Sequence, residues 1–282
     1  MTIAITGATG QLGSLVVDAL LEQVPADQVV AVVRDAAKAQ SLADRGVTVR
    51  VAPYDDRAAL ETAFAGVDKV LLVSGNEFGQ RAQQHANVID AAQAAGVGFL
   101  AYTSVLGGPA TELLVTPEHV ETEQYLAQSG LPHSLLRNGW YHENYVPAID
   151  AARHTGTVLT AAGDGLVASA SRRDYAEAAA AVLLADDVQP VYELSGDVAW
   201  SQEDLAAALA DVIGSPVTVT RTDEEGLRSA LLGAGVPDVW AGFNAATDVR
   251  IAAGDLAATP GELTKLIGRP TTPLVDTLRA LA

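Results

Sequence analysis

Three glycines and one arginine have the types and spacing that most directly suggest chemistry. Thr6-Gly7-Ala8-Thr9-Gly10-Gln11-Leu12-Gly13 gives Gly-x-x-Gly-x-x-Gly, directly after a β-rich segment and directly before an apolar-periodic one. In that context Gly7 permits a tight turn, Gly10 lets backbone approach a pyrophosphate, and Gly13 lets the following helix pack on the strand. The helix N-terminus adds N–H groups and partial positive charge. The residues expected to hold a dinucleotide here are Gly7, Ala8, Thr9, Gly10, Gln11 and Leu12. A ligand-free glycine turn is the plainer alternative. The second strand ends in Val32-Val33-Arg34-Asp35. An acid at that point usually holds ribose hydroxyls, whereas Arg34 offers a forked clamp for a 2′-phosphate. The expected cofactor is therefore NADP(H). Asp35 is left either to the ribose or to capping the next helix.

These groups need strands that end beneath them. Strand-like segments at 2–6, 28–33, 47–52, 69–73 and 97–102 alternate with helix-like segments at 11–22, 38–45, 56–64 and 80–95. Such alternation implies a parallel sheet covered on both faces. Further cofactor contacts should lie at the C-terminal strand ends: Asp55 after the third, Ser74, Gly75 and Asn76 after the fourth, Thr103 and Ser104 after the fifth. Each of these also suits ordinary turn chemistry. Beyond Pro117 the spacing predicts helices at 118–128, 175–184 (with Asp174 as a cap ahead of it), 202–213 (with Ser201 as N-cap), 223–232 and 260–267. It predicts strands at 133–137, 191–194 and 217–220. The fold class is α/β: a Rossmann-type doubly wound parallel sheet with a smaller C-terminal α/β substrate-binding region. Residues 1–138 form the NADP-binding domain, to whose sheet some later segments return. Residues 139–282 form the substrate-binding region, interlocked with it.

Composition narrows the partners. The 282 residues, 49% hydrophobic, suffice for one large domain or two merged ones. The absence of cysteine excludes disulfides, thiolate metal sites and cysteine nucleophiles. The five histidines lack metal-ligand spacing, so no metal is expected. A net charge of −18 repels phosphate backbones and anionic lipid. No apolar run suits a bilayer span and no signal peptide is evident, so a cytoplasmic protein is expected.

With these features assembled, the chain resembles the NmrA-like group of atypical short-chain dehydrogenase/reductases, and within it the bacterial type 2 NAD(P)H:quinone oxidoreductases. The resemblance rests on the glycine turn, Gly79-Gln80-Arg81, Ala101-Tyr102-Thr103-Ser104, Glu118-His119-Val120-Glu121-Thr122-Glu123 and Leu135-Leu136-Arg137-Asn138-Gly139-Trp140-Tyr141. It continues through Glu143-Asn144-Tyr145, Ala161-Ala162-Gly163-Asp164-Gly165, Ser195-Gly196-Asp197 and Leu266-Ile267-Gly268, spanning nearly the whole chain. It implies two-electron reduction of a quinone by NADPH, without flavin or metal. It places the nicotinamide near residues 138–144, with Asn138 as a cofactor contact. Asn144 would orient the acceptor or the nicotinamide amide, and Tyr141 and Trp140 would form apolar walls. The chain departs from these relatives at Gln124, where Lys is common, and at Ser74-Gly75-Asn76, where the loop is richer in serine.

The usual Tyr-x-x-x-Lys proton donor of this superfamily is absent; the equivalent helix carries His119-x-x-x-Glu123. Hydride delivery to a ketone makes a strongly basic alkoxide, so a positioned acid matters. Delivery to a quinone makes a phenolate whose conjugate acid titrates near the tyrosine value of about 10, and water can protonate it. The missing pair thus favours a quinone acceptor. His119 is the one candidate acid on that helix, with packing or capping as its plainer role. The expected partners are a quinone or related planar acceptor and a second copy of the chain as a homodimer. Two alternatives share the cofactor: a non-catalytic NADP(H)-sensing regulator that binds a partner protein, and a reductase of a polycyclic or enone metabolite.

Overall fold

The first two strands are short runs rich in Val, Ile and Ala and buried on both faces, as parallel strands between two helical layers must be. The computed structural model describes residues 1–282. In chain order the first part holds β1 (Ile3–Thr6), α1 (Gln11–Leu21), β2 (Val29–Val33), α2 (Gln40–Asp44), β3 (Thr48–Val51), α3 (Arg57–Ala63), β4 (Lys69–Leu72), α4 (Arg81–Ala94), β5 (Phe99–Val105), α5 (Thr116–Ser129) and β6 (His133–Asn138). There follow α6 (Val146–Thr155), β7 (Thr157–Thr160), α7 (Arg172–Leu184), β8 (Val191–Leu194), α8 (Gln202–Ile213), β9 (Thr218–Arg221), α9 (Glu224–Gly233), α10 (Asp238–Ala252), α11 (Glu262–Ile267) and α12 (Leu274–Leu281).

The chain divides into two units. The first comprises Met1–Gly108, Pro117–Asn138 and Arg172–Glu193. Its sheet runs β3-β2-β1-β4-β5-β6-β8, and β1 to β6 pair in parallel. This is the Rossmann order, which reverses between β1 and β4 and opens a crevice at their C-terminal ends. The two-residue period of the strands sorts side chains between the faces. Ala4, Val30, Val32, Val70, Leu72, Leu100 and Tyr102 join Leu60 and Ala63 of α3, Val88 and Ile89 of α4 and Leu126 of α5 in one core. Ile3 and Ile5, equally buried, point the other way. On α7 the buried Ala178, Ala179 and Ala180 keep the helix slim where it packs against α1.

The second unit comprises Pro109–Thr116, Gly139–Ser171 and Leu194–Ala282. It contains the parallel pair β7-β9 and the helices α6 and α8 to α12. Ser201 and Asp204 close a capping box at the start of α8, and Asp223 caps α9 through the Gly226 N–H. No helix of the chain is long and apolar enough to cross a membrane.

The structure departs from the sequence expectations at Asp174 and in stretches where no element is predicted, which hold α6, β7 and α12 as well as α10. Asp174 is not a cap ahead of a helix: α7 already begins at Arg172, and Asp174 lies fully buried in its first turn. The stretch 238–252, with no expected element, is the fifteen-residue α10. It lacks a side-chain cap, starts after Pro237, and distributes its apolar residues around the axis, so it has neither an edge signal nor a periodic stripe.

Candidate functional site

The turn after β1 is built from backbone. Gly7 has φ +58°, a left-handed conformation that glycine adopts without penalty, and the Gly10 N–H donates to its carbonyl at 2.8 Å. At Gly13 a Cβ would overlap the Gly7 carbonyl, so only glycine lets α1 sit this close. Gly10 is the N-cap of α1, and no side chain caps the helix. The first-turn amides thus meet the crevice without a protein side chain closing them off, which suits an anion. Thr9, Gly10 and Gln11 are exposed there; Ala8 and Leu12 are buried in side chain and present only backbone.

Beneath the turn sits a polar anchor. Thr6 Oγ1, fully buried, donates to the Leu71 carbonyl at 3.1 Å and accepts from the Val73 N–H at 3.0 Å. The Tyr54 hydroxyl lies 2.5 Å from Thr6 Oγ1 and 2.7 Å from the Val73 carbonyl. Burial pushes the Tyr54 phenol well above its ordinary value, so it stays protonated. The ends of β1 and β4 and the segment after β3 are tied together at one point.

The loop after β4 is held by side chains. The Ser74 N–H donates to Thr103 Oγ1 at 2.8 Å. Both polar groups of the Gly75 peptide are engaged by α4: its N–H donates to His85 Nε2 at 2.9 Å, and its carbonyl accepts from Arg81 Nε at 2.7 Å. Accepting at Nε2 fixes the His85 tautomer, so Nδ1–H donates to Thr122 Oγ1 at 3.0 Å, and that hydroxyl donates to the Glu118 carbonyl at 2.8 Å. Burial, then the proximity of His119 and Arg81, brings His85 down to about 3, which keeps Nε2 an acceptor at neutral pH. Further along, Gly79 N–H donates to Glu118 Oε1 at 2.9 Å. Asn76, between these anchors, is exposed.

Arg34 follows β2 with a side chain 68% exposed, and its Nη1 lies 2.9 Å from Glu77 Oε1. Asp35 Oδ1 accepts from the Ala37 N–H at 2.9 Å and caps a short 3-10 turn, one of the two roles expected of it. Asp55 is exposed in the bend before α3, while Asp56 caps that helix through Ala59.

The face of α5 that carries Tyr and Lys in ordinary relatives is structural in this chain. His119 is buried with Nδ1 2.7 Å from the Tyr102 hydroxyl, and burial followed by Arg81 lowers it to about 3. It carries no charge at neutral pH and its ring is engaged by Tyr102, which suits the packing role that the sequence also allows. Glu123 accepts from Ser104 Oγ at 2.6 Å and takes a two-pronged contact from Arg137, Nε to Oε1 at 2.9 Å and Nη2 to Oε2 at 2.6 Å. Arg137 also reaches Glu193 Oε1 at 2.8 Å. The Ser104 hydroxyl and the Thr103 hydroxyl are thereby committed within the protein. Gln124 is exposed.

Asn138 ends β6 with its side chain buried, and its carbonyl accepts from the Leu106 N–H. In the second unit, Tyr141 precedes a short 3-10 helix, His142–Tyr145, on which Asn144 is exposed. His142 fixes that turn from below, Nδ1 3.1 Å from Thr277 Oγ1 and Nε2 3.0 Å from the Ser169 carbonyl. Trp140 stacks on Phe243 with ring centroids 6.3 Å apart.

The structure thus brings residues 7–12, Arg34 and Ser74–Asn76 to one crevice. Reading the sequence missed Tyr54, Glu77, His85 and Glu118 as its supports. Arg81 and Glu118 had a signal, in the Gly79-Gln80-Arg81 stretch and in the stretch that begins at Glu118. The donor set fits a dinucleotide bearing a 2′-phosphate: uncapped amides for the pyrophosphate and a mostly exposed guanidinium for the phosphate. No group of three or more His, Cys, Asp or Glu side chains could hold a metal ion.

Comparison with known proteins agrees with this geometry. The chain is 51% identical to quinone oxidoreductase 2 of Escherichia coli K12 over 280 residues, 99% of this chain and 98% of that protein. The crystal structure of that NADPH-dependent enzyme complexed with NADPH superposes with a TM-score of 0.96, at 50% identity and 99% coverage of both chains. Triphenylmethane reductase of Citrobacter sp., complexed with NADP(H), matches with a TM-score of 0.96 at 38% identity, covering 100% of each chain. The model of the NmrA-like family matches residues 1–245. With its Rossmann-type sheet, its glycine turn and these relatives, this chain belongs to the NmrA-like family.

Proposed function

We propose that this protein is an NADPH-dependent oxidoreductase that transfers a hydride to a quinone-type acceptor. The observation that carries the reading is the crevice at the sheet reversal, with the uncapped start of α1 on one side and the Arg34 guanidinium on the other. Gly7 to Leu12 would hold the pyrophosphate through backbone, Arg34 the 2′-phosphate, and the Ser74–Asn76 loop and Asn138 the remainder. NADPH supplies the hydride. The chain's own residues bind, orient and support. Full-length likeness to quinone oxidoreductase 2 of E. coli supports the choice of acceptor.

The proton side of the reaction follows from α5. His119 is neutral and engaged, and Glu123 is ion-paired, so neither occupies the role of a charged donor. A reduced quinone does not need one, because its oxyanion is a phenolate that water protonates. Asn144, exposed on its short helix, is assigned to orienting the acceptor or the nicotinamide amide, and Tyr141 to the apolar wall beside it. The Asn144→Ala variant should keep its melting temperature and lose most of its turnover; full turnover would remove this role.

Purified protein mixed with NADPH and a simple benzoquinone tests the reading through loss of NADPH absorbance. Saturable oxidation that needs both protein and quinone supports it. Tight NADPH binding without turnover across several quinones and enones favours the sensing regulator instead. The same reading puts the enzyme in the cytoplasm and predicts a homodimer, to be checked by cell fractionation and by light scattering on a sizing column.

A further inference from the structure

The Arg34–Glu77 contact reaches across three strands. Arg34 follows β2, Glu77 lies on the loop after β4, and β1 runs between those strands in the sheet. Two strand spacings come to roughly 10 Å, a gap that an arginine and a glutamate side chain close together. The ion pair therefore passes over the end of β1, beside the glycine turn. Glu77 is not a wandering surface group. Its Oε2 accepts from Gln84 Nε2 of α4 at 3.0 Å, and the loop is anchored on both sides of it, at Gly75 and at Gly79. An exposed pair of this kind contributes little to stability, so stability does not explain why the carboxylate is held there so fully.

The guanidinium that Glu77 occupies is the one assigned above to the 2′-phosphate, and the inference rests on that reading. A phosphate monoester carries nearly two charges and three acceptor oxygens, which makes it a stronger partner for the fork than one carboxylate. Two anions on one guanidinium also repel each other. We propose that Glu77 is a specificity-setting residue: it holds Arg34 in place of the 2′-phosphate and must yield it when NADPH binds. NADH has no group that competes for Arg34 and leaves the pair intact. Glu77 thereby limits NADPH affinity while keeping Arg34 extended over the crevice.

Fluorescence titration of NADPH and of NADH into the wild-type protein, E77Q, R34A and the double variant tests this without reference to turnover. E77Q should bind NADPH about threefold to tenfold more tightly, the scale of removing one partly exposed competing charge. Its NADH affinity should stay within about twofold of wild type, and in the R34A background the gain should vanish. An E77Q protein that binds NADPH no better, or that tightens for both cofactors alike, overturns the role of Glu77 while R34A still loses NADPH selectively. Equal loss of both cofactors in R34A overturns the 2′-phosphate assignment itself, and the proposal with it. Arg34 is exposed and Glu77 half-buried at the surface, so the variants should fold, and unchanged thermal melting of each checks this.

Discussion

The turn after β1 and the loop after β4 border the same crevice and are built by opposite means. The turn owes its shape to missing side chains: Gly7 in a left-handed conformation, Gly10 bonded back to it, and Gly13 leaving room for α1. The loop owes its shape to side chains that arrive from elsewhere: Thr103 from β5, Arg81 and His85 from α4, Glu118 from α5. A backbone-built site is rigid because nothing in it has a rotamer to lose. A clamp-built site is adjustable, because each clamp is separate and each can be removed. Tuning belongs to the second kind: a seat made of backbone is fixed, while the proposed choice of cofactor rests on side chains, Arg34 and its partner Glu77.

Four measurements break or sharpen this contrast, beginning with the largest effect. Gly13→Ala should abolish NADPH binding and cost several kcal/mol of stability, since the new Cβ has only backbone to displace. Urea denaturation and cofactor titration check this, and a well-folded, NADPH-binding variant would contradict the rigid half of the comparison. His85→Ala should cost about 2–4 kcal/mol, because it opens a buried space and leaves the Gly75 N–H without its acceptor. NADPH should still bind the folded fraction, several-fold more weakly. Arg34→Ala should weaken NADPH binding by roughly tenfold to a hundredfold, or about 1.5–3 kcal/mol for one charge-assisted contact, with NADH little changed.

The fourth effect is a slope in acid, small for one ring over any one pH unit although it accumulates across the range. An ordinary histidine titrates near 6.5, whereas His85 and His119 are held near 3 by burial. Between those values the unfolded chain takes up protons that the native state refuses. Stability should therefore fall as pH drops from 6.5 towards 3, by at most about 1.4 kcal/mol per pH unit for each ring. Above 6.5 these groups contribute no slope. Urea midpoints across that range, compared with those of His119→Gln, measure it. A wild-type slope that the substitution leaves unchanged would return His119 to the ordinary histidines.

The same contrast explains what could be read from the sequence. The glycine turn was legible because its information is local: spacing, a strand before, a helix after. Asp56, Ser201 and Asp223 were legible as helix starts for the same reason, each bonding an amide three residues on. The clamps were not legible as clamps, because His85 and Glu118 meet the β4 loop only after the chain has folded; nothing near His85 marks it, and the stretch that begins at Glu118 does not show what it holds. Arg34 lay in view and Glu77 did not, although each is half of one contact. Helix α10 was missed for a related reason: packing rather than periodicity selects its helical state.

The proposed function is direct hydride transfer from NADPH to a quinone by this chain. The most direct measurement is the stoichiometry of that reaction without oxygen, with NADPH consumed and hydroquinone formed counted together in the presence of purified protein alone. Turnover should be protein-dependent and saturable and should yield hydroquinone equimolar with the NADPH lost. NADPH that binds but is not consumed faster when quinone is added would contradict it.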